Sequence, residues 1–162
     1  MVDDTAEANE KTQFMVFCVG TESYGMEVST VSEVFRLQQI TRVPNAPEYV
    51  EGLINLRGKV APVVDLRKRF GVEVTEATNE SRIVVAEYEG EDFGMIVDSV
   101  TEVVSVEHGK IELNTEVTGQ AGSLFALGFA RLEDRLLILV DMETVLGEKD
   151  ENGPPQELEA AA

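Results

Sequence analysis

The chain repeats itself. Tyr24-Gly25-Met26-Glu27-Val28-Ser29-Thr30-Val31-Ser32-Glu33-Val34 aligns with Phe93-Gly94-Met95-Ile96-Val97-Asp98-Ser99-Val100-Thr101-Glu102-Val103 at an offset of 69 residues, and six of the eleven positions are identical. A later block aligns at an offset of 76, where Gly52, Leu56, Val64, Asp65 and Gly71 recur as Gly128, Leu132, Val140, Asp141 and Gly147. The offsets differ by seven, so the second copy carries seven extra residues, which fall in the polar stretch His108 to Ser123. Two copies are too few for a solenoid, which buries its core only from about three repeats upward. A pair of similar small units within residues 13–147, meeting near 72–80, is the simpler architecture.

Each copy reads as mostly β. The runs Phe14 to Val19 and Ile83 to Ala86 are rich in β-branched and aromatic residues, turns follow at Gly20 to Ser23 and Glu89 to Asp92, and strands resume at Tyr24 and Phe93. Ser29 and Asp98 stand at matched positions with side chains suited to capping a short helical turn. Arg57-Gly58 and Glu133-Asp134 separate further strand pairs. Each last strand ends in an Asp, Asp65 or Asp141, leading into one turn of helix closed by Gly71 or Gly147. Five or so strands per copy cannot bury both faces of an open sheet, but they can curl into a small barrel. The expected fold is mainly β: two five-stranded β-barrel subdomains with short helices.

Charge narrows the function. Asp and Glu outnumber Lys and Arg by 31 to 13, a net charge of −18, which repels phosphate backbones and removes nucleic acid from the partners. No apolar run approaches the ~20 residues of a membrane helix, so no direct membrane insertion is expected. The acidic N-terminus lacks the apolar core of a secretory signal, and Cys18 as a single cysteine permits no internal disulfide; both fit a cytoplasmic protein. Residues 1–12 and 148–162 are acidic and without apolar periodicity, and read as disordered tails. Residues 28–71 run the other way, with seven basic side chains against four acidic ones. Arg67, Lys68 and Arg69 there read as a solvated basic face, and a docking surface for an acidic partner is the alternative.

Catalytic constellations are missing from the sequence: no phosphate-cradling Gly-rich loop, no paired-Cys metal site and no nucleophile elbow. His108 reads as a solvated loop side chain, Cys18 as a small buried hydrophobe, and Met26 and Met95 as paired core residues. Asp65 and Asp141 occupy matching positions, and capping accounts for them better than acid–base chemistry. No catalytic residue, metal or cofactor is expected. The recurring Glu33 and Glu102 are open to two readings. Glu33 is an exposed strand residue, or it pairs with Arg57 at the Leu56-Arg57-Gly58 turn and orients one guanidinium at the surface.

The succession Phe14…Val16-Phe17…Gly20…Tyr24-Gly25, Val31-Ser32-Glu33-Val34, Arg42-Val43-Pro44-Asn45-Ala46-Pro47 and Gly52-Leu53-Ile54-Asn55-Leu56-Arg57-Gly58-Lys59-Val60-Ala61-Pro62-Val63-Val64-Asp65-Leu66 closely resembles the CheW chemotaxis coupling proteins, from residue 13 to about 147. Gly94-Met95-Ile96-Val97-Asp98 and Leu137-Ile138-Leu139-Val140-Asp141 extend the resemblance into the second copy. It implies two SH3-like β-barrel subdomains and a non-catalytic adaptor. Its partners would be the regulatory domain of a CheA-type histidine kinase and the cytoplasmic tip of methyl-accepting chemoreceptors, which would recruit it to membrane receptor arrays. Carried over by position, receptor contacts fall on Val31, Glu33, Val34 and Arg57 on one wall of a groove, with Ile83, Val100 and Val103 on the other. Kinase contacts fall on Gly52, Leu53 and Val60, beside Glu51 where some relatives carry a basic residue; a second kinase-facing surface would lie near Val117. Two alternatives stand beside this reading: a CheW-like module from a larger kinase or receiver-fused adaptor, and a β-barrel that binds a small molecule.

Overall fold

A computed structural model of the chain describes residues 10–74, 76–113 and 126–146. The first copy supplies β1 (Lys11–Val19), β2 (Glu22–Glu27), β3 (Val31–Arg36), β4 (Val50–Leu56) and β5 (Lys59–Asp65). The second supplies β6 (Arg82–Tyr88), β7 (Glu91–Val97), β8 (Ser99–Glu107), β9 (Ile111–Leu113), β10 (Ala126–Arg131) and β11 (Leu136–Val140). Short helices α1 (Leu66–Phe70) and α2 (Met142–Val145) follow β5 and β11. The fold is mainly β, as expected. Its first strand starts before residue 13: Lys11 and Thr12 pair with Glu107 and Val106. The stretches 1–9 and 147–162, Gly147 included, and Val117 lie outside the described residues.

The two copies are interleaved rather than set side by side. One sheet runs β3-β6-β7-β5-β4 and the other β8-β1-β2-β11-β10-β9. Exchanging each strand of the first sheet for its repeat counterpart reproduces the first five strands of the second, in order. Register follows suit: Val85 faces Gly94 as Val16 faces Gly25, and in the parallel pairs Val63 faces Gly94 as Leu139 faces Gly25. The bulges match too, falling between Val31 and Glu33 and between Val100 and Glu102, then between Val50 and Gly52 and between Ala126 and Gly128. Each copy therefore lends its first hairpin to the sheet that the other copy completes. The segment between α1 and β6 connects two parts of the five-stranded sheet, and the chain changes sheets after β2 and after β7. β9 has no named counterpart strand in the first copy; a single bridge from Thr41 to Leu53 stands in its place.

Alternation of side chains builds three cores from these two sheets. Ile54, Leu56, Ala61, Val63, Ile83, Val85 and Ile96 fill the inside of the five-stranded sheet, and Phe14, Val16, Val106, Ala130, Leu137 and Leu139 the inside of the other. The opposite faces of the same strands, among them Met15, Phe17, Tyr24, Met26, Val84, Ala86, Phe93 and Met95, meet in the largest cluster, between the sheets. Met26 and Met95 are thus paired core residues, as their repetition implies. Gly25 and Gly94 point inward where there is no room for more. A Cβ on Gly25 would lie 3.0 Å from a Leu137 methyl, and one on Gly94 3.1 Å from an Ile83 methyl.

Both sheets curl without closing a hydrogen-bond ladder. In a flat five-stranded sheet β3 and β4 would lie about 19 Å apart, yet Phe35 of β3 packs on the cluster that holds Ile54 of β4. An ion pair bridges each seam, Glu33 to Arg57 in the first and Glu102 to Arg135 in the second. The helix caps come as matched pairs: Asp65 accepts from the Arg67 N–H and Asp141 from the Glu143 N–H. The caps expected at Ser29 and Asp98 do not form. Ser29 sits inside a 3-10 turn, Val28–Thr30, that no side chain caps, while Asp98 accepts from the Gly20 N–H at 2.7 Å. Cys18 is half-buried rather than buried, and His108 lies in a 3-10 turn where its ring meets the Thr12 hydroxyl at 2.6 Å.

Candidate functional site

The β4–β5 hairpin turns on Arg57 and Gly58, with φ of +53° and +85°; both values are positive, as a type I′ turn requires. Asn55 steadies it by accepting the Gly58 N–H at 2.8 Å. The turn holds Arg57 at the tip, where its side chain is 78% exposed and its guanidinium reaches Glu33 on β3. Of the two readings of Glu33, the pair is the one that forms. Val34, beside it, is 40% exposed on the outer edge of its sheet, and its repeat counterpart Val103 is 54% exposed on β8. Val31 and Val100 are partly buried, and both pack on the cluster between the sheets. Ile83 does not belong with them. It is fully buried inside the five-stranded sheet, because the register that places Val84 toward the other sheet turns its neighbour inward.

The residues given to the kinase fall on the same hairpin with different exposure. Val60 is 54% exposed and Leu53 is partly exposed, with its backbone bridged to Thr41. Gly52 is buried and presents no contact surface of its own. Its role is backbone: φ is +148°, and a Cβ would collide with the Thr41 carbonyl oxygen.

The basic run on α1 is not a solvated face. Arg67 is buried, with Nε and Nη2 each 3.1 Å from the two carboxylate oxygens of Asp65 and Nη1 3.4 Å from Asp98. Burial works against its charge, but the hydrogen bond to Asp65 and the attraction of Asp65, Asp98 and Glu51 more than offset this, so its pKa is raised. Lys68 pairs with Glu51 at 2.6 Å. Arg69 donates to the carbonyls of Val145 and Thr144 and lies 4.3 Å above the Tyr49 ring. Sequence reasoning missed this because three successive cations look like surface; the signal was Asp98, an acid where the first copy has Ser29.

A cavity of about 550 Å³ lies against the loop before β4, lined by Arg42, Val43, Pro47, Val50, Glu51 and Lys68, two of which are already paired with each other. Among the described residues no group of His, Cys, Asp and Glu is placed to hold a metal ion, and no helix is long and apolar enough to cross a membrane. The described residues also present two partly exposed sheet edges, β3 and β8, and the exposed Arg57 hairpin tip. The CheW-like domain family matches residues 13–150.

The chain belongs to the CheW family. It is 36% identical over 142 residues to the chemotaxis protein CheW of Bacillus subtilis, covering 88% of this chain and 91% of that one. Similarity to CheW of Rhizobium meliloti is 31% over 153 residues, with 94% of each chain covered. The crystal structure of the scaffolding protein TtCheW from Thermoanaerobacter tengcongensis superimposes with a TM-score of 0.81 at 35% identity, over 88% of this chain and 97% of that one. The protein is a chemotaxis adaptor of the CheW type with the two-subdomain, SH3-like fold of that family.

Proposed function

We propose that this adaptor, without a catalytic residue of its own, joins the regulatory domain of a CheA-type histidine kinase to the cytoplasmic tips of methyl-accepting chemoreceptors. It acts in the cytoplasm and reaches membrane receptor arrays only through those partners. The receptor docks on Val31, Glu33, Val34 and Arg57 with Val100 and Val103; the kinase docks on the hairpin side of β4 and β5, at Leu53 and Val60, where Gly52 keeps the backbone in place.

The observation that carries the reading is Arg57. Arg at φ +53° costs backbone energy that Gly would avoid and Asn would reduce. Glu89-Gly90 adopts the same turn with φ of +53° and +81°, so what singles out Arg57 is not the turn itself but the planar, five-donor cation it presents beside Glu33. Glu33 holds one side of the fork and leaves the other for a carbonyl or carboxylate of the receptor. A half-exposed pair adds only ~0–1 kcal/mol to folding, while loss of a buried interface guanidinium costs ~2 kcal/mol or more of binding. Arg57→Asn, which relaxes the turn, is therefore expected to keep or slightly raise the thermal midpoint yet bind a receptor-tip fragment at least ~10-fold more weakly. Glu33→Ala is expected to act more mildly, and the double variant less than additively. Titrations in which Arg57→Asn binds as tightly as the parent would sink the reading.

A further inference from the structure

We infer that Arg67 is a positioning residue: from inside the fold it sets the relative placement of β3 and β8, and through them the surface that recognises the receptor. The inference rests on the docking assignment above and adds a residue that touches neither partner. The receptor surface is assembled from two sheets, since Val31, Glu33 and Val34 lie on β3 of the five-stranded sheet and Val100 and Val103 on β8 of the other. The kinase surface lies within one hairpin of one sheet. A surface assembled from two sheets is only as well defined as the angle between them. The apolar cluster between the sheets holds them together, but apolar attraction is non-directional and fixes that angle weakly.

Directional bonds narrow it, and those that reach the start of β8 converge on Arg67. Asp65, at the end of β5, takes two of its donors, and Asp98, the residue before β8, takes a third. Asp98 is itself tied to the turn after β1, accepting from the Gly20 N–H at 2.7 Å and donating its own N–H to the Cys18 carbonyl at 2.9 Å. One buried guanidinium thus holds Asp98, the single residue through which the chain passes from β7 of the five-stranded sheet to β8 of the other. The second copy does not duplicate the device: Glu143 stands at the position of Arg67, and Ser29 at that of Asp98. Arg69, bonded to the Thr144 and Val145 carbonyls, still joins α1 to α2 when the Arg67 charge is removed.

The test separates positioning from stability. In the full chain, Asp65→Asn, Arg67→Met and Asp98→Asn are combined, so that no charge is left buried alone and both side-chain acceptors remain for the Arg67-position and Gly20 N–H groups. Affinities for a receptor-tip fragment and for the kinase regulatory domain are then measured separately. Receptor binding is expected to fall at least about tenfold while kinase binding stays within about twofold, with Arg67→Lys in between. If the triple variant does not fold, Asp98→Asn alone reads the same ratio. Unchanged receptor affinity overturns the inference, and so does an equal loss toward both partners, which would mark Arg67 as merely structural. A parent protein that binds neither fragment overturns the docking assignment instead, which keeps the two failures apart.

Discussion

The two copies of the repeat share their strand order, their registers, their bulges and their inward glycines, and they differ in their helices. In the first copy α1 carries Arg67, Lys68 and Arg69, and each is bonded to a different part of the molecule. In the second, α2 reads Met142-Glu143-Thr144-Val145 and brings one acid and no base. The shared residues are those that make a sheet of this size curl and pack. Among the unshared ones, buried Arg67 bonds to Asp98 ahead of β8, Lys68 to Glu51, and Arg69 to the carbonyls of α2.

The largest expected effect lies at Gly52, which recurs as Gly128 but in the first copy lies against Thr41. Thr41 passes so close to it that Gly52→Ala is expected to cost roughly 3 kcal/mol or more, read as a fall in the urea midpoint. A loss below 1 kcal/mol would show that the Thr41 segment is free to move aside, as a loop outside the repeat could be.

Next comes Tyr24, whose counterpart is Phe93. Its ring stacks between Phe17 and Phe70, and its hydroxyl has no hydrogen-bond partner among the described residues. Burial, helped by the charge of Glu22, pushes its pKa from 10.0 up to about 12. Because the folded form holds the proton longer than the unfolded chain does, stability is full below pH 10 and is lost as pH rises toward 12. Tyr24→Phe is expected to be up to ~1 kcal/mol more stable at neutral pH, and to escape ~2–3 kcal/mol of the parent's alkaline loss. Denaturation curves at neutral pH and above pH 10 measure both; parallel curves for parent and variant would mean that the ring is not sealed from water.

The smallest effect tests the equivalence itself. Gly25→Ala and Gly94→Ala place the same methyl against the same kind of interior, at 3.0 and 3.1 Å from the nearest side-chain atom. Both are expected to cost ~1–2 kcal/mol, and equally within error. A difference of more than about 1 kcal/mol between the two would break the pseudo-symmetry at its centre.

The sequence disclosed the repeat, the strands, both Asp caps and the Glu33–Arg57 pair, because these depend on local chemistry or on a position that occurs twice. It did not disclose the exchange of hairpins, since a repeat aligns equally well whether each copy folds on itself or on the other. Ile83 was misplaced for the same reason: its face is decided by strands from the other copy. Arg67 was misread because charge along a sequence predicts solvent only until a carboxylate such as Asp98 arrives from 31 residues away.

Interleaving also dictates an order of events on the ribosome. All five strands of one sheet are available once Val97 has been made, although β1 and β2, which precede them, have no place in it. β1 gains its neighbour β8 once Glu107 is made, but the other edge of β2 stays open until β11 emerges to lie beside it. A stalled or truncated product ending before Leu136 leaves β2 as an unpaired edge, open to the same strand from another copy.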